Sequence, residues 1–143
     1  MFMSQYNHTI DAKGRLIIPS KYRDVLGESF VVTKGLDGCL LVYGNEEWKA
    51  FEDKLQNLPL AQREARQFVR FFLAGACEVE VDKQGRILLP NVLREFAKLE
   101  KDVVLVGAGK KVEIWSKEEY ERATEDLDMD TISEHMAELG YGI

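Results

Sequence analysis

Long apolar runs are missing from this chain. None approaches the roughly 18 residues that a membrane-spanning helix requires. The opening residues, MFMSQYNHTIDAKGR, lack the basic start and apolar core of an export signal, so the expected location is the cytoplasm. Cysteine is scarce. Cys39 and Cys77 lie among apolar neighbours, in GCLLVY and AGACEVEV, with no C-x-x-C pair. Two buried thiols are expected there, rather than a disulfide or a metal site. Histidine is equally scarce: His8 falls on a strand edge and His135 in an acidic tail, and both read as surface residues. There is no Walker loop and no G-x-G-x-x-G fingerprint. Without a nucleophile–base pair, a metal cluster or a phosphate loop, an enzyme is not expected, and neither is a cofactor or a small-molecule substrate.

Positive charge is also in deficit. The net charge is −6, but the acid is concentrated: nine acidic residues and one arginine, Arg122, lie between Glu118 and Glu138. That segment carries −8, so the rest of the chain is near +2. A basic face elsewhere is therefore compatible with the overall balance. The mixture of 45% apolar and 31% charged residues is that of a globular chain rather than a disordered one. At 143 residues it makes one ordinary domain, or two small modules sharing a core.

The second possibility is written into the sequence. Residues 11–23 read DAKGRLIIPSKYR, and residues 82–94 read DKQGRILLPNVLR. Asp11, Gly14, Arg15, Pro19 and Arg23 recur as Asp82, Gly85, Arg86, Pro90 and Arg94, at a constant offset of 71. Three further positions exchange Leu for Ile. At background frequencies of about 5–7% per residue type, fewer than one identity is expected in such a stretch. Downstream, Phe30–Thr33 corresponds to Val103–Val106, and Cys39–Tyr43 to Lys111–Trp115. Each copy closes on a helix-like stretch, NEEWKAFEDKL and SKEEYERATEDL.

Both copies give the same pattern. A first strand, His8–Asp11 or Glu78–Asp82, leads into a tight turn at Gly14 or Gly85, where glycine tolerates a positive φ. A second strand follows, LIIP or ILLP, then a short helix that Gly27 would stop in copy one. A hairpin across Asp37-Gly38 comes next. The closing helix has Asn45 or Ser116 as its N-cap. Trp48, Phe51 and Leu55, like Tyr120, Ala123 and Leu127, fall on one face of it. The expected fold is α+β and β-rich, with two modules about a pseudo-two-fold axis in one barrel-like core and flanking helices. Expected boundaries are residues 1–57 for the first module, 58–76 for a helical linker, 77–128 for the second module and 129–143 for an acidic tail. Arg63, Arg66 and Arg70 make a basic stripe along the linker, readable as a solvated or inter-subunit face or as a DNA contact.

Asp-x-x-Gly-Arg, three aliphatic residues, proline, and an arginine four positions later together resemble the DNA-binding module of the AbrB/SpoVT swapped-hairpin family. Two copies joined by an Arg-Phe-rich helix extend that resemblance over nearly the whole chain. It implies a bacterial transcription factor acting on its own operon in the division and cell-wall gene cluster. It also implies recognition of short, repeated G-rich boxes in double-stranded DNA, a nucleoid-associated location, and a ring-shaped homo-oligomer with an octamer as the candidate size. By matching position, Arg15 and Arg86 would be the main DNA contacts, with Arg23 and Arg94 in support.

The chemistry suits that role. Arginine presents a planar fork of donors that matches guanine O6 and N7, and a two-stranded ribbon fits the major groove. Lys13 and Lys83 could neutralise phosphates, though they occupy different positions in the two turns: Gln84 stands opposite Lys13, and Ala12 opposite Lys83. Ion pairs between Asp11 and Arg15, and between Asp82 and Arg86, are the structural alternative, and one that could also hold each arginine in a reading posture. A second function stays open, that of an antitoxin-type interaction module binding a partner protein through the acidic segment EDLDMDTISEHMAELGYGI. There Ile132, Met136 and Leu139 recur at helical spacing.

Overall fold

In the computed structural model, which describes residues 1–143, each copy folds into four strands and two helices. Copy one runs β1 (Gln5–Thr9), β2 (Arg15–Ile17), α1 (Ser20–Leu26), β3 (Ser29–Lys34), β4 (Leu40–Tyr43) and α2 (Asn45–Gln56). A linking helix, α3 (Arg63–Ala74), follows. Copy two repeats the order with β5 (Cys77–Glu80), β6 (Arg86–Leu88), α4 (Asn91–Phe96), β7 (Asp102–Gly107), β8 (Val112–Ser116) and α5 (Lys117–Thr124). A last helix, α6 (Met129–Glu138), ends the chain.

The copies are interleaved. The first strand of each pairs antiparallel with the third strand of the other: β1 with β7, and β5 with β3. The fourth strands, β4 and β8, pair with each other, as do the second strands, β2 and β6. Two sheets result: one of six strands, ordered β1-β7-β8-β4-β3-β5, and the two-stranded β2–β6 ribbon. Every pairing has its counterpart under exchange of the copies, which is the expected pseudo-two-fold arrangement. All four strands of each copy find a partner in the other, so the two copies build one shared structure.

Alternation along the strands separates two cores. Phe30, Val32, Leu40, Val42, Val103, Leu105, Val112 and Ile114 point to one face of the sheet, where they meet Leu16, Ile18, Ile87 and Leu89 of the ribbon and its ends. Leu41, Tyr43, Val104 and Trp115 point to the other face, which α2 and α3 cover with Leu55 and Phe72. Burying each large aliphatic or aromatic side chain contributes roughly 1.5–3 kcal/mol. A one-residue slip of the ribbon would turn Leu16 and Ile87 outward, so the register is firmly set. The Thr33 hydroxyl donates a 2.6 Å hydrogen bond to the Phe72 carbonyl and ties α3 to β3.

Several local expectations are corrected. The first strands end before Asp11 and Asp82, because both aspartates cap the turns. Asn45 is the first residue of α2 rather than its cap; Gly44 holds that position, and the Asn45 amide donates to the Ser29 carbonyl. Ser116 does cap α5, accepting from the Glu119 N–H. That helix ends at Thr124, so Leu127 lies beyond it and is exposed. The linking helix begins at Arg63, after a turn at Pro59. Gly27 ends α1 at φ 81°, whereas in copy two Lys98 takes up the left-handed conformation at φ 57°. Cys39 is buried, but Cys77 is only half-buried, near the start of β5.

Candidate nucleic-acid interface

The turn before each ribbon strand is built around its aspartate. Asp11 Oδ1 accepts from the backbone N–H groups of Lys13 and Arg15, at 3.0 and 2.8 Å. The Gly14 N–H reaches back to the Asp11 carbonyl, and Gly14 itself sits at φ 90°. Copy two repeats this atom for atom: Asp82 Oδ1 accepts from Gln84 and Arg86 at 2.8 and 2.9 Å, and Gly85 sits at φ 79°.

The second carboxylate oxygen fixes the arginine. Arg15 Nε donates to Asp11 Oδ2 at 2.7 Å, and Arg86 Nε to Asp82 Oδ2 at 2.9 Å. The backbone N–H of Arg15, then its guanidinium, holds the Asp11 carboxyl below the usual carboxylate range despite partial desolvation. The Arg86 backbone N–H and guanidinium do the same for Asp82. Ion pairs this exposed add little stability. Their effect is orientation: with Nε engaged, the Nη1 and Nη2 amines remain as an end-on fork, free of intrachain hydrogen bonds.

Register puts both forks on one surface. Arg15 stands opposite Leu88, Leu16 opposite Ile87, and Ile17 opposite Arg86. Leu16 and Ile87 point into the core, so Arg15, Ile17, Arg86 and Leu88 share the outer face of the ribbon. Lys13 and Lys83 are exposed at the two turns. Of the basic residues expected to act together, four thus gather on the ribbon and its turns.

Arg23 and Arg94 are placed differently. Both are half-buried behind the turns, and each Nε donates to a carbonyl at the end of its own ribbon strand, Arg23 to Ile18 at 2.9 Å and Arg94 to Leu89 at 3.0 Å. Their guanidinium groups lie against the turn glycine of the other copy: Arg94 against Gly14 and Arg23 against Gly85. Backbone bonds run the same way, from the Leu89 N–H to the Gly14 carbonyl and from the Ile18 N–H to the Gly85 carbonyl, both 2.9 Å. Each turn is held by the opposite copy. Sequence reasoning missed this bracing, because the contacts cross between copies and leave no local pattern.

The α3 stripe lies on the opposite side of the sheet from the ribbon, since α3 packs on the outer core through Phe72. Arg66 turns back to the carbonyls of Leu60 and Ala61, at 3.0 Å each. No group of three or more His, Cys, Asp or Glu residues could hold a metal ion, and no helix is long and apolar enough to cross a membrane.

Two interleaved modules, each offering an aspartate-braced arginine to a common ribbon, define a tandem-repeat protein whose copies exchange strands. The chain belongs to the MraZ family: the model of that family, described as "MraZ protein, putative antitoxin-like", matches it twice, over residues 1–71 and 72–139. Among its relatives is the "Transcriptional regulator MraZ" of Lachnoclostridium phytofermentans, 61% identical over 140 residues, covering 98% of each chain. The protein of the same name from Caldanaerobacter subterraneus subsp. tengcongensis is 60% identical over 139 residues, covering 95% of this chain and 96% of the relative. That of Clostridium beijerinckii is 55% identical over 141 residues, covering 98% and 99%. These relatives carry the name of a regulator, not of an enzyme.

Proposed function

We propose that this chain is a sequence-specific transcriptional regulator that binds double-stranded DNA through the β2–β6 ribbon. The observation that carries the reading is the shared outer face: two equivalent arginines, each locked at Nε and free at its terminal amines, are displayed by a ribbon of a width that the major groove accepts. Arg15 and Arg86 read guanine edges. Lys13 and Lys83 neutralise phosphates on either side and position the ribbon. Arg23 and Arg94 support them by holding the turns, and Asp11, Gly14, Asp82 and Gly85 shape those turns. Residues 1–57 and 77–128 act as the two modules, with 58–76 as linker and 129–143 as tail.

One acidic subunit offering so few cationic contacts would hold one site weakly. A ring of several copies, engaging several short repeated boxes, converts later contacts into intramolecular ones. On this reading the chain works in the cytoplasm at the nucleoid, on boxes upstream of the division and cell-wall gene cluster, and represses its own operon. The test is the double variant Arg15→Ala, Arg86→Ala. It should keep its circular dichroism spectrum and its size while losing specific retardation of promoter DNA; undiminished retardation would refute the assignment. Probes carrying one to four boxes test multivalency: affinity should climb with box number and fall steeply with salt. The antitoxin-type alternative would instead yield one stoichiometric partner protein in a pull-down, without DNA.

A further inference from the structure

Two side chains on the ribbon face have no part in that scheme. Ile17 and Leu88 are 43% and 58% exposed. Single apolar residues scattered over a surface need no explanation, but these two are not scattered. They occupy equivalent positions in the repeat, and each faces an arginine across the ribbon: Ile17 opposite Arg86, and Leu88 opposite Arg15. The outer face is therefore a checkerboard of two guanidinium groups and two aliphatic groups, with Lys13 and Lys83 exposed at its margins. A surface so charged around its apolar elements suits a polyanion that also carries apolar points.

Thymine supplies such a point: it is the base that projects a methyl group into the major groove. An aliphatic side chain offers no donor or acceptor, so opposite a polar base edge it would strip water and return nothing. Cross-strand neighbours in an antiparallel ribbon lie about 4.5–5.5 Å apart, and successive bases about 3.4 Å apart along a strand. Each aliphatic group therefore falls within two base steps of the guanine contacted by the arginine facing it. From this we propose that Ile17 and Leu88 are specificity-determining residues that contact thymine 5-methyl groups next to the guanines read by Arg86 and Arg15. The inference rests on the base-reading role of those arginines.

The test uses the full-length protein and duplexes recovered by selection from a random-sequence pool. Thymines in a selected duplex are replaced one at a time by deoxyuridine, which removes only the methyl group, and guanines by 7-deazaguanine, which removes N7. The wild type should lose about fourfold in affinity at a thymine within two base pairs of an N7-dependent guanine, the equivalent of one buried methyl-sized group. The variant Ile17→Ser, Leu88→Ser should bind thymine and uracil probes equally while still depending on guanine N7. Ile17→Val with Leu88→Ile should keep the discrimination. Equal binding of every uracil probe by the wild type would overturn the proposal, and that arm needs no variant to fold. So would a serine variant that sediments differently yet still distinguishes thymine from uracil, since the two side chains would then belong to a contact between copies. A pool that yields no consensus would remove the base-reading premise itself and the methyl contact with it.

Discussion

The guanidinium group of Arg94 fills the space where a side chain on Gly14 would stand. A Cβ built on Gly14 would lie 2.8 Å from Arg94 Nε and equally close to the Leu89 carbonyl oxygen. The two residues come from different copies, so the glycine of one turn is a docking surface for the arginine of the other. Gly14 is also at φ 90°, where an L side chain is strained. Gly85 is the weaker case: the three atoms nearest its Cβ all belong to the Arg23 side chain, Cζ closest at 3.0 Å, and that side chain can move. Gly14→Ala should therefore cost about 3 kcal/mol and Gly85→Ala about 1–2 kcal/mol. Urea denaturation of the two variants checks the order; equal losses would contradict the role of the Leu89 carbonyl.

Two pairs of arginines separate folding from binding. Replacing Arg23 or Arg94 with methionine keeps much of the aliphatic stem but removes the hydrogen bond to the Ile18 or Leu89 carbonyl. Each change should cost about 1–2 kcal/mol of stability. Replacing Arg15 or Arg86 removes an exposed ion pair and should alter stability by less than about 0.5 kcal/mol, while removing specific DNA binding. Melting curves and gel shifts on the same four variants should show this crossed pattern. A large stability loss at Arg15 would return it to a purely structural role.

This crossing also marks the limit of what the sequence displays. The repeat is visible in part because three of its five matched residues answer local demands: glycine for a positive φ, aspartate for an Asx turn, proline before a short helix. The continuous apolar runs FVV and VVLV announce strands covered on both sides, and the sheet has two buried faces. The outer face of the ribbon was within reach as well, since counting by twos from Arg15 and Arg86 arrives at Ile17 and Leu88. The strand exchange is different. That β1 pairs with β7 and β5 with β3 depends on contacts between residues about a hundred or fifty positions apart, which no local periodicity encodes. Arg23 and Arg94 lie on the pattern of the motif, but their contact with a glycine of the other copy follows only from that exchange.

Acid should act on the turns in a narrow window. The carboxyl groups of Asp11 and Asp82 are held below the usual carboxylate range, first by the backbone N–H groups of Arg15 and Arg86. A carboxyl group depressed in the folded state contributes fully above its unfolded value, and the contribution is lost as pH falls through the folded value. The turns should therefore be unchanged at pH 5 and loosen only below the ordinary range. Carboxyl-carbon NMR should place both midpoints beneath it. Asp11→Asn with Asp82→Asn keeps an acceptor for the backbone but no charge for the guanidinium, so this response should vanish. Midpoints at ordinary carboxylate values would mean that the arginines are not held as described.

The Cys39 thiol offers a check on the outer core, with Cys77, which packs on the other face of the sheet, as a comparison. Burial, with Glu113 and Asp37 adding to it, pushes the Cys39 thiol up to about 12. Burial also raises that of Cys77, which is less enclosed. The thiolate is the reactive form. At pH 8 the folded protein should react slowly with iodoacetamide, Cys77 ahead of Cys39, and both should react promptly in denaturant. Mass analysis of the labelled peptides gives the order, and early labelling of Cys39 would mean that the α2–α3 cover opens readily.

The last helix can be removed without touching either core. No residue of α6 is buried; Ile132 and Met136 are exposed along it, and Leu139 just past its end. Ending the chain after Leu127 discards four acidic residues, Asp128, Asp130, Glu134 and Glu138, and no lysine or arginine. Surface changes of this kind alter stability by about 0.5 kcal/mol or less, so the melting temperature should stay within about 2 °C. Binding to nonspecific duplex DNA at low salt should strengthen, because fewer like charges face the phosphates, and the gain should fade as salt screens them. Calorimetry and fluorescence titration across salt concentrations measure both effects. A melting temperature that dropped well beyond this margin would show that the exposed stripe of α6 is buried against another chain, and that the tail serves assembly rather than charge.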